Sequence, residues 1–242
     1  MVKHLESNRR VLFALLLVAA GAQAACSTEP SVGGEELGTT QHALVAAELP
    51  APAAAAQKAA QAQLLEWLNS IPAGQERPLG FFSREEYAEA TLGTPYEMFS
   101  AGAGGSIEPL DVWRVPVLVR GEFRALLDVT KSGNDYVVSG IGAAVLANEL
   151  GKVEQSKGGV GTPAQRSILR AFKQNADFVV YDLSPRDAKN RGQLKIRPLN
   201  SAQDSLSDKA KSVRAHGKLG APGANGRIGE LTIAEVQSLL DD

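Results

Sequence analysis

The chain has 242 residues, of which 44% are hydrophobic and 21% charged, with a formal net charge of -2. A single cysteine excludes an intramolecular disulfide framework, and the slightly acidic balance gives no overall attraction to nucleic acid. Stability must come from packing and hydrogen bonding.

The first element lies outside any fold. Lys3, Arg9 and Arg10 outweigh Glu6 at the start, and residues 11–22 (VLFALLLVAAGA) form an uncharged apolar run. A bilayer span needs about 20 such residues, so a basic start, a short apolar run and small residues after it read as an export signal over 1–25.

Two cleavage readings follow. Ala24-Ala25-Cys26 resembles the lipobox of bacterial lipoproteins, in which the cysteine is acylated and becomes the new N-terminus; Gln23 stands where that family usually has an aliphatic residue. The resemblance implies a lipid such as palmitate on Cys26, a membrane as partner and a place in the cell envelope. In a Gram-negative host, Ser27 after the cysteine points to outer-membrane sorting. Ala22-Gln23-Ala24 is the competing site, an A-x-A whose cleavage leaves a periplasmic or secreted protein with an unmodified thiol.

Residues 26–58 are expected to be a flexible tether, because they are rich in Ala, Gly, Pro, Ser and Thr. A folded α+β domain is expected over 59–200, and a polar loop segment with a C-terminal helix over 201–242. Leu64, Leu65, Leu68 and Ile71 recur at helical spacing, which predicts a helix over 53–69. Ser83-Arg84-Glu85-Glu86 reads as a capping box, with Phe82 and Tyr87 as its hydrophobic staple and Leu92-Gly93 as the helix end.

From Asp111 the period changes to two. Trp113, Val115, Val117 and Val119 share one face of a strand, and Phe123, Ala125, Leu127 and Val129 share one face of the next, joined at Arg120-Gly121. Pro116 lacks a donor and belongs at an edge or a bulge. A turn over 131–135 and a strand over 136–141 complete an antiparallel meander. A short helix over 143–150 should close at Gly151, before a glycine-rich loop over 155–163. Residues 167–172 and 178–183 predict a hairpin, with a helix over 164–173 as the alternative, and 193–199 predicts another strand. Helices followed by consecutive strands argue for an α+β fold with an antiparallel meander packed by short helices. Residues 201–229 read as loop or disorder, and Thr232-Ile233-Ala234-Glu235 as a capping box opening a terminal helix with Val236, Leu239 and Leu240 on its apolar face.

No stretch carries a diagnostic catalytic or cofactor motif. Lys157-Gly158-Gly159-Val160-Gly161-Thr162 resembles the start of a phosphate-binding loop but lacks the closing Gly-Lys-Ser/Thr that meets phosphate and magnesium. Residues 101–105 (AGAGG) lack the spacing of a dinucleotide site and read as a turn. The histidines are His4, His42 and His216, too scattered for a triad or a metal site. Asp111, Glu122 and Asp128 are candidates for an acid-base pair, yet nothing in their spacing separates them from surface charges. Trp113, Phe123 and Tyr136 read as core, with a ligand groove as the alternative. A basic run over 166–197, with eight Lys or Arg against three Asp or Glu, reads as a solvated face or as a strip that meets an anionic surface.

The stretch Leu92–Leu150, with LGTPYEMF, WRVPVLVRGEFRALLDV and GIGAAVLANEL, is similar to small secreted cystatin-like or peptidase-propeptide domains. That likeness implies binding or inhibition without catalysis, and it transfers no site residue. The expected function is therefore a non-enzymatic binding or interaction module at the envelope, with a protein or cell-wall partner and no cofactor, metal or nucleic acid. A secreted hydrolase with an unrecognised carboxylate site and a protease-inhibitor-like partner are the alternatives.

Overall fold

The computed structural model describes residues 49–102, 106–156, 166–181, 185 and 192–241. The chain divides into two units, 1–44 and 45–242. The export signal, Cys26, most of the tether, His4, His42 and the glycine-rich stretch 157–162 lie outside the described residues.

Helix α1 (Ala51–Ser70) begins inside the stretch expected as tether, and it buries Ala53, Ala56, Ala60, Leu64 and Leu68. Its alanines let the helix lie close to the sheet, and Pro52 in the first turn has no helical hydrogen bond to lose. Strands β1 (Ala90–Leu92), β2 (Tyr96–Ala101), β3 (Ile107–Val119), β4 (Glu122–Ser132) and β5 (Asp135–Gly142) follow. Helix α2 (Ala144–Ser156), β6 (Ser167–Ala171), β7 (Ala176–Tyr181) and β8 (Lys195–Pro198) come next, then helices α3 (Asn200–Ala215) and α4 (Ile233–Leu240).

The fold is α+β. Its single sheet has eight strands, with the order β5-β4-β3-β2-β6-β7-β8 and β1 paired to β3. The expected meander is present as β3-β4-β5, antiparallel throughout. The sheet as a whole is mixed, because β2 and β6 run parallel, with Glu97 beside Ser167 and Phe99 beside Leu169. The 167–183 hairpin is also present as β6-β7, which overturns the helical alternative for 164–173.

Alternation sorts the core onto two faces. Trp113, Val115, Val117, Ala125, Leu127 and Val129 pack with α1. Phe99, Leu169, Phe178 and Ile196 pack with α3 and α4; the β2-β3 register puts them on the same face. Tyr96, Met98, Leu126, Ile168 and Val179 point the other way, toward Ala147, Leu150 and Val153 of α2. Arg120 and Gly121 both have positive φ, at 53° and 80°, the geometry that a tight hairpin matching the strand twist requires. Pro116 sits in the middle of β3, where β1 gives way to β2, and its carbonyl accepts from the Gly93 amide. Its missing N–H therefore faces the break between two partner strands, and a bulge follows between Val117 and Leu118.

The same irregularity turns Phe123 away from the face of Ala125, Leu127 and Val129 and toward α2, so the four do not share a face as expected, and four further local expectations are corrected. Ser83 makes no capping bond, and Arg84–Glu89 is a 3-10 turn rather than an α-helix. The Ser83 hydroxyl serves the Glu85 carboxylate, while Glu86 turns inward to accept from the Phe82 amide at 2.7 Å and to meet Arg124 at 3.4 Å. Tyr87 packs edge-to-face on Phe81, not Phe82, so the staple is absent and Phe82 is exposed. Leu92 lies in β1, not at a helix end.

Gly151 does not close α2; it is buried inside that helix, where a Cβ would stand 3.2 Å from the Cβ of Phe123. Glycine is needed there for the close approach of helix to sheet, not for a left-handed turn. The third correction concerns 201–229. Its first half is α3, which buries Ala202, Leu206, Ala210 and Val213 at helical spacing. The fourth is minor, since the strand expected over 193–199 forms only as β8. The terminal capping box is present as read, with the Glu235 amide donating to Thr232 Oγ1 and the Thr232 amide donating to Glu235 Oε2.

Candidate functional site

The residues singled out from the sequence do not converge. Asp128 accepts from Arg114 at 3.1 Å and Glu122 lies 3.1 Å from Arg124, so each is committed to its own arginine. Asp111 occupies a positive-φ position, at 52°, within the irregular part of the β2-β3 pairing. These three carboxylates form no acid-base pair. Trp113 belongs to the α1-side core and Phe123 packs against the α2-side core, while Tyr136 borders the α1 side. They line no common groove. The Gly102 amide donates to the Ser106 carbonyl at 2.9 Å, and residues 103–105 lie outside the described residues. His216 follows α3, with Nδ1 2.8 Å from the Ser212 carbonyl oxygen.

The basic run also separates. Arg166 is paired with Glu154 at 2.8 Å and Arg170 with Asp177 at 3.1 Å. Arg197 is different, because it lines a cleft. That cleft has a volume of about 560 Å³ and lies between α2, the end of β8, the start of α3 and the segment 223–230. Glu149 and Lys152 come from α2, and Asn200, Gln203, Arg227 and Glu230 complete its polar lining. A second hollow of about 520 Å³ adjoins it along α3 and shares Asn200, Gln203, Arg227 and Ile228.

The wall opposite α3 is held by side-chain and backbone bonds. Gln203 donates to the Ile228 carbonyl and accepts from the Ile228 amide, both at 2.8 Å, copying a strand pairing with one side chain. Leu231 and Ile196 exchange amide bonds at 2.8 and 3.0 Å, which ties the same segment to β8. Arg227 reaches back to Asn200 Oδ1 at 2.6 Å. Asn225 takes a left-handed conformation, with φ 60°, at the tip.

Within the cleft, Glu149 accepts from the backbone amide of Asn200. Leu199, at the N-cap of α3, offers no side-chain acceptor, so α2 supplies across space the anion that a local cap usually provides. Burial raises the Glu149 pKa above its ordinary value, against the opposing effects of the Asn200 amide and of Arg227. The cleft's two arginines donate to neutral groups, Arg197 to the Ser156 hydroxyl at 3.0 Å and Arg227 to Asn200 Oδ1.

The other polar cluster is structural. Tyr96 donates to Glu154 Oε1 at 2.5 Å, and Glu154 Oε2 meets Arg166. This chain of contacts is enclosed on the α2 side of the sheet, where burial and Glu154 hold the phenols of Tyr96 and Tyr181 well above the ordinary tyrosine range. No group of three or more His, Cys, Asp or Glu among the described residues is placed to hold a metal ion. Nor is any helix among them long and apolar enough to cross a membrane.

Sequence reasoning missed Glu149, Lys152 and Arg227 as site residues, and found Arg197 only as part of a run. They come from α2, β8 and a loop far apart in the chain, so no spacing links them. No protein-family model, curated protein or solved structure matches the chain.

Proposed function

We propose that this protein is a lipid-anchored, non-enzymatic binding module of the bacterial envelope, exported through residues 1–25, acylated on Cys26, and using the cleft between α2 and α3 as its ligand site. The export-type start, the lone cysteine behind small residues and the spacer before α1 support the address. The observation that carries the binding reading is the state of the cleft's charged groups. Glu149 is engaged at the α3 backbone, whereas a general base needs a carboxylate at hydrogen-bond reach of a substrate proton. The basic side chains beside it donate to neutral oxygens and retain their charge for a ligand.

Intact mass and membrane fractionation of the processed protein, with and without Cys26→Ala, test this reading. Wild type should carry an acyl addition and follow the membrane, and the variant should lose both with its fold unchanged. A processed N-terminus at Ala25 with an unmodified thiol overturns the anchor. Turnover of a cell-wall or peptide substrate that disappears in Glu149→Gln overturns the non-enzymatic assignment.

A further inference from the structure

Arg77 apart, which lines a separate hollow with Gly80, Phe81 and Phe82, the arginines of the described residues fall into two groups. Arg84, Arg114, Arg120, Arg124, Arg166 and Arg170 each lie within 3.4 Å of a carboxylate oxygen. Those lining the cleft and its adjoining hollow do not. Arg197 donates to a hydroxyl, Arg214 to the Gly220 carbonyl at 3.0 Å, and Arg227 to an amide oxygen. Lys152, on α2, is exposed in the same cleft, and its ammonium makes no hydrogen bond or ion pair among the described residues.

Along the joined hollows, the basic residues Lys152, Arg197, Lys211, Arg214 and Arg227 outnumber the acids Glu149, Asp204 and Glu230. Lys211 is paired with Asp208, outside the lining, at 2.8 Å. With that pair set aside, four cations face three carboxylates, a small positive surplus on a chain of formal net charge -2. Like charges gathered in a concave, partly desolvated site repel one another, and an anion that enters relieves the repulsion. A guanidinium whose remaining N–H groups are not taken by carboxylate presents a planar fork matched to an oxyanion.

We infer that the cleft binds a phosphate-type oxyanion, received by Arg227 and Arg197 with Lys152 completing the charge. The inference rests on reading the cleft as the ligand site, and it deepens that reading by naming the ligand's chemistry. A phosphate group reaches such a site either free in solution or as a lipid headgroup at the membrane surface. Arg227 has a second duty, since its bond to Asn200 also positions the 223–230 wall.

The test uses the processed protein and two probes. Inorganic phosphate is titrated calorimetrically at low salt, and co-sedimentation is compared between phosphatidylglycerol and phosphatidylcholine vesicles. Any acyl anchor contributes to both kinds of vesicle, so the difference between them reads the headgroup. Saturable phosphate binding that weakens as salt rises is expected, with a loss of about tenfold or more in Arg227→Gln and in Lys152→Gln. Lys152→Gln removes a side chain with no described partner, so it separates loss of binding from loss of fold. Lys58→Gln, an exposed site on α1, removes the same charge elsewhere and should bind as wild type.

Preference for phosphatidylglycerol with the same pattern of variants, and no response to free phosphate, assigns the headgroup as the source. Absence of saturable binding to either probe, or an equal loss in Lys58→Gln, overturns the inference. A protein that stays acylated and membrane-bound while failing both probes leaves the anchor reading intact. Phosphate binding by an unacylated, soluble protein has the opposite meaning.

Discussion

Glu149 of α2 accepts a hydrogen bond from the backbone N–H of Asn200, the first residue of α3. One carboxylate thus joins the helix on one face of the sheet to the start of a helix on the other, at the floor of the charged cleft. Removing it should loosen α3. Glu149→Ala is expected to cost about 0.5–2 kcal/mol, the usual range for a lost N-cap, whereas Glu149→Gln keeps an acceptor oxygen and costs less. Urea denaturation gives the totals, and hydrogen exchange should place the faster amides in the first turn of α3.

The same residue sets a pH dependence. Burial raises its folded-state pKa above the ordinary 4.5, so just above that pH the folded chain binds more protons at this site than the unfolded chain does. Its contribution is full below the unfolded value and is lost as pH rises through the folded one. Glu149→Gln should remove this decline from a plot of unfolding free energy against pH. An unchanged slope would contradict the assignment.

Arg166 and Glu154 are largely enclosed, with side-chain exposures of 12% and 15%. Arg166→Met leaves Glu154 facing Tyr96 without its cation and should destabilise by about 3–5 kcal/mol. Tyr96 and Tyr181 retain their protons in the folded chain above the ordinary tyrosine value of 10.0. Their contribution is present below that pH and is lost as alkalinity rises, since the unfolded chain releases those protons first. Phenolate absorbance should therefore show two tyrosines ionising only together with unfolding.

Gly80 has φ +96°, and a Cβ there would stand 2.0 Å from the Arg124 carbonyl oxygen. Gly133 has φ +63° with open space around it. Gly80→Ala should cost at least about 3 kcal/mol or prevent folding, because strain and a backbone clash act together. Gly133→Ala should cost about 1 kcal/mol from strain alone. Thermal melts of the two variants compare them directly.

Leu206 anchors α3 in the core at 3% exposure, whereas Leu65 on α1 is 59% exposed. Leu206→Ala is expected to lose about 2–5 kcal/mol and Leu65→Ala no more than about 0.5 kcal/mol. Similar midpoints for the two would mean that α3 does not dock as described.

The parts of this protein legible in its sequence are those decided by neighbours in the chain. The Arg120-Gly121 hairpin, the alternation of Trp113 to Val119 and the Thr232-Glu235 cap each need only a few adjacent residues, and each is present. The Ser83-Glu86 pattern looks equally good locally and fails. Its glutamate has a better position inside, on the Phe82 amide beside Arg124, which comes from a distant strand.

Sequence by itself determined the α+β character, the meander and the apolar face of α4, because periodicity and turn chemistry act at short range. Tertiary structure decided the rest. Helix α3 presents two alanines among its four buried positions, too little apolar signal until the sheet supplies a surface for small side chains to approach. Gly151 reads as a stop until Phe123 is placed against it. The parallel β2-β6 pair joins the two halves of the sheet, and no local rule announces it. The cleft is the extreme case, since Glu149, Lys152, Arg197 and Arg227 line one hollow only after helix, strand and loop have packed. Charge in a groove depends on which cations find carboxylates elsewhere, and that pairing is a property of the folded chain alone.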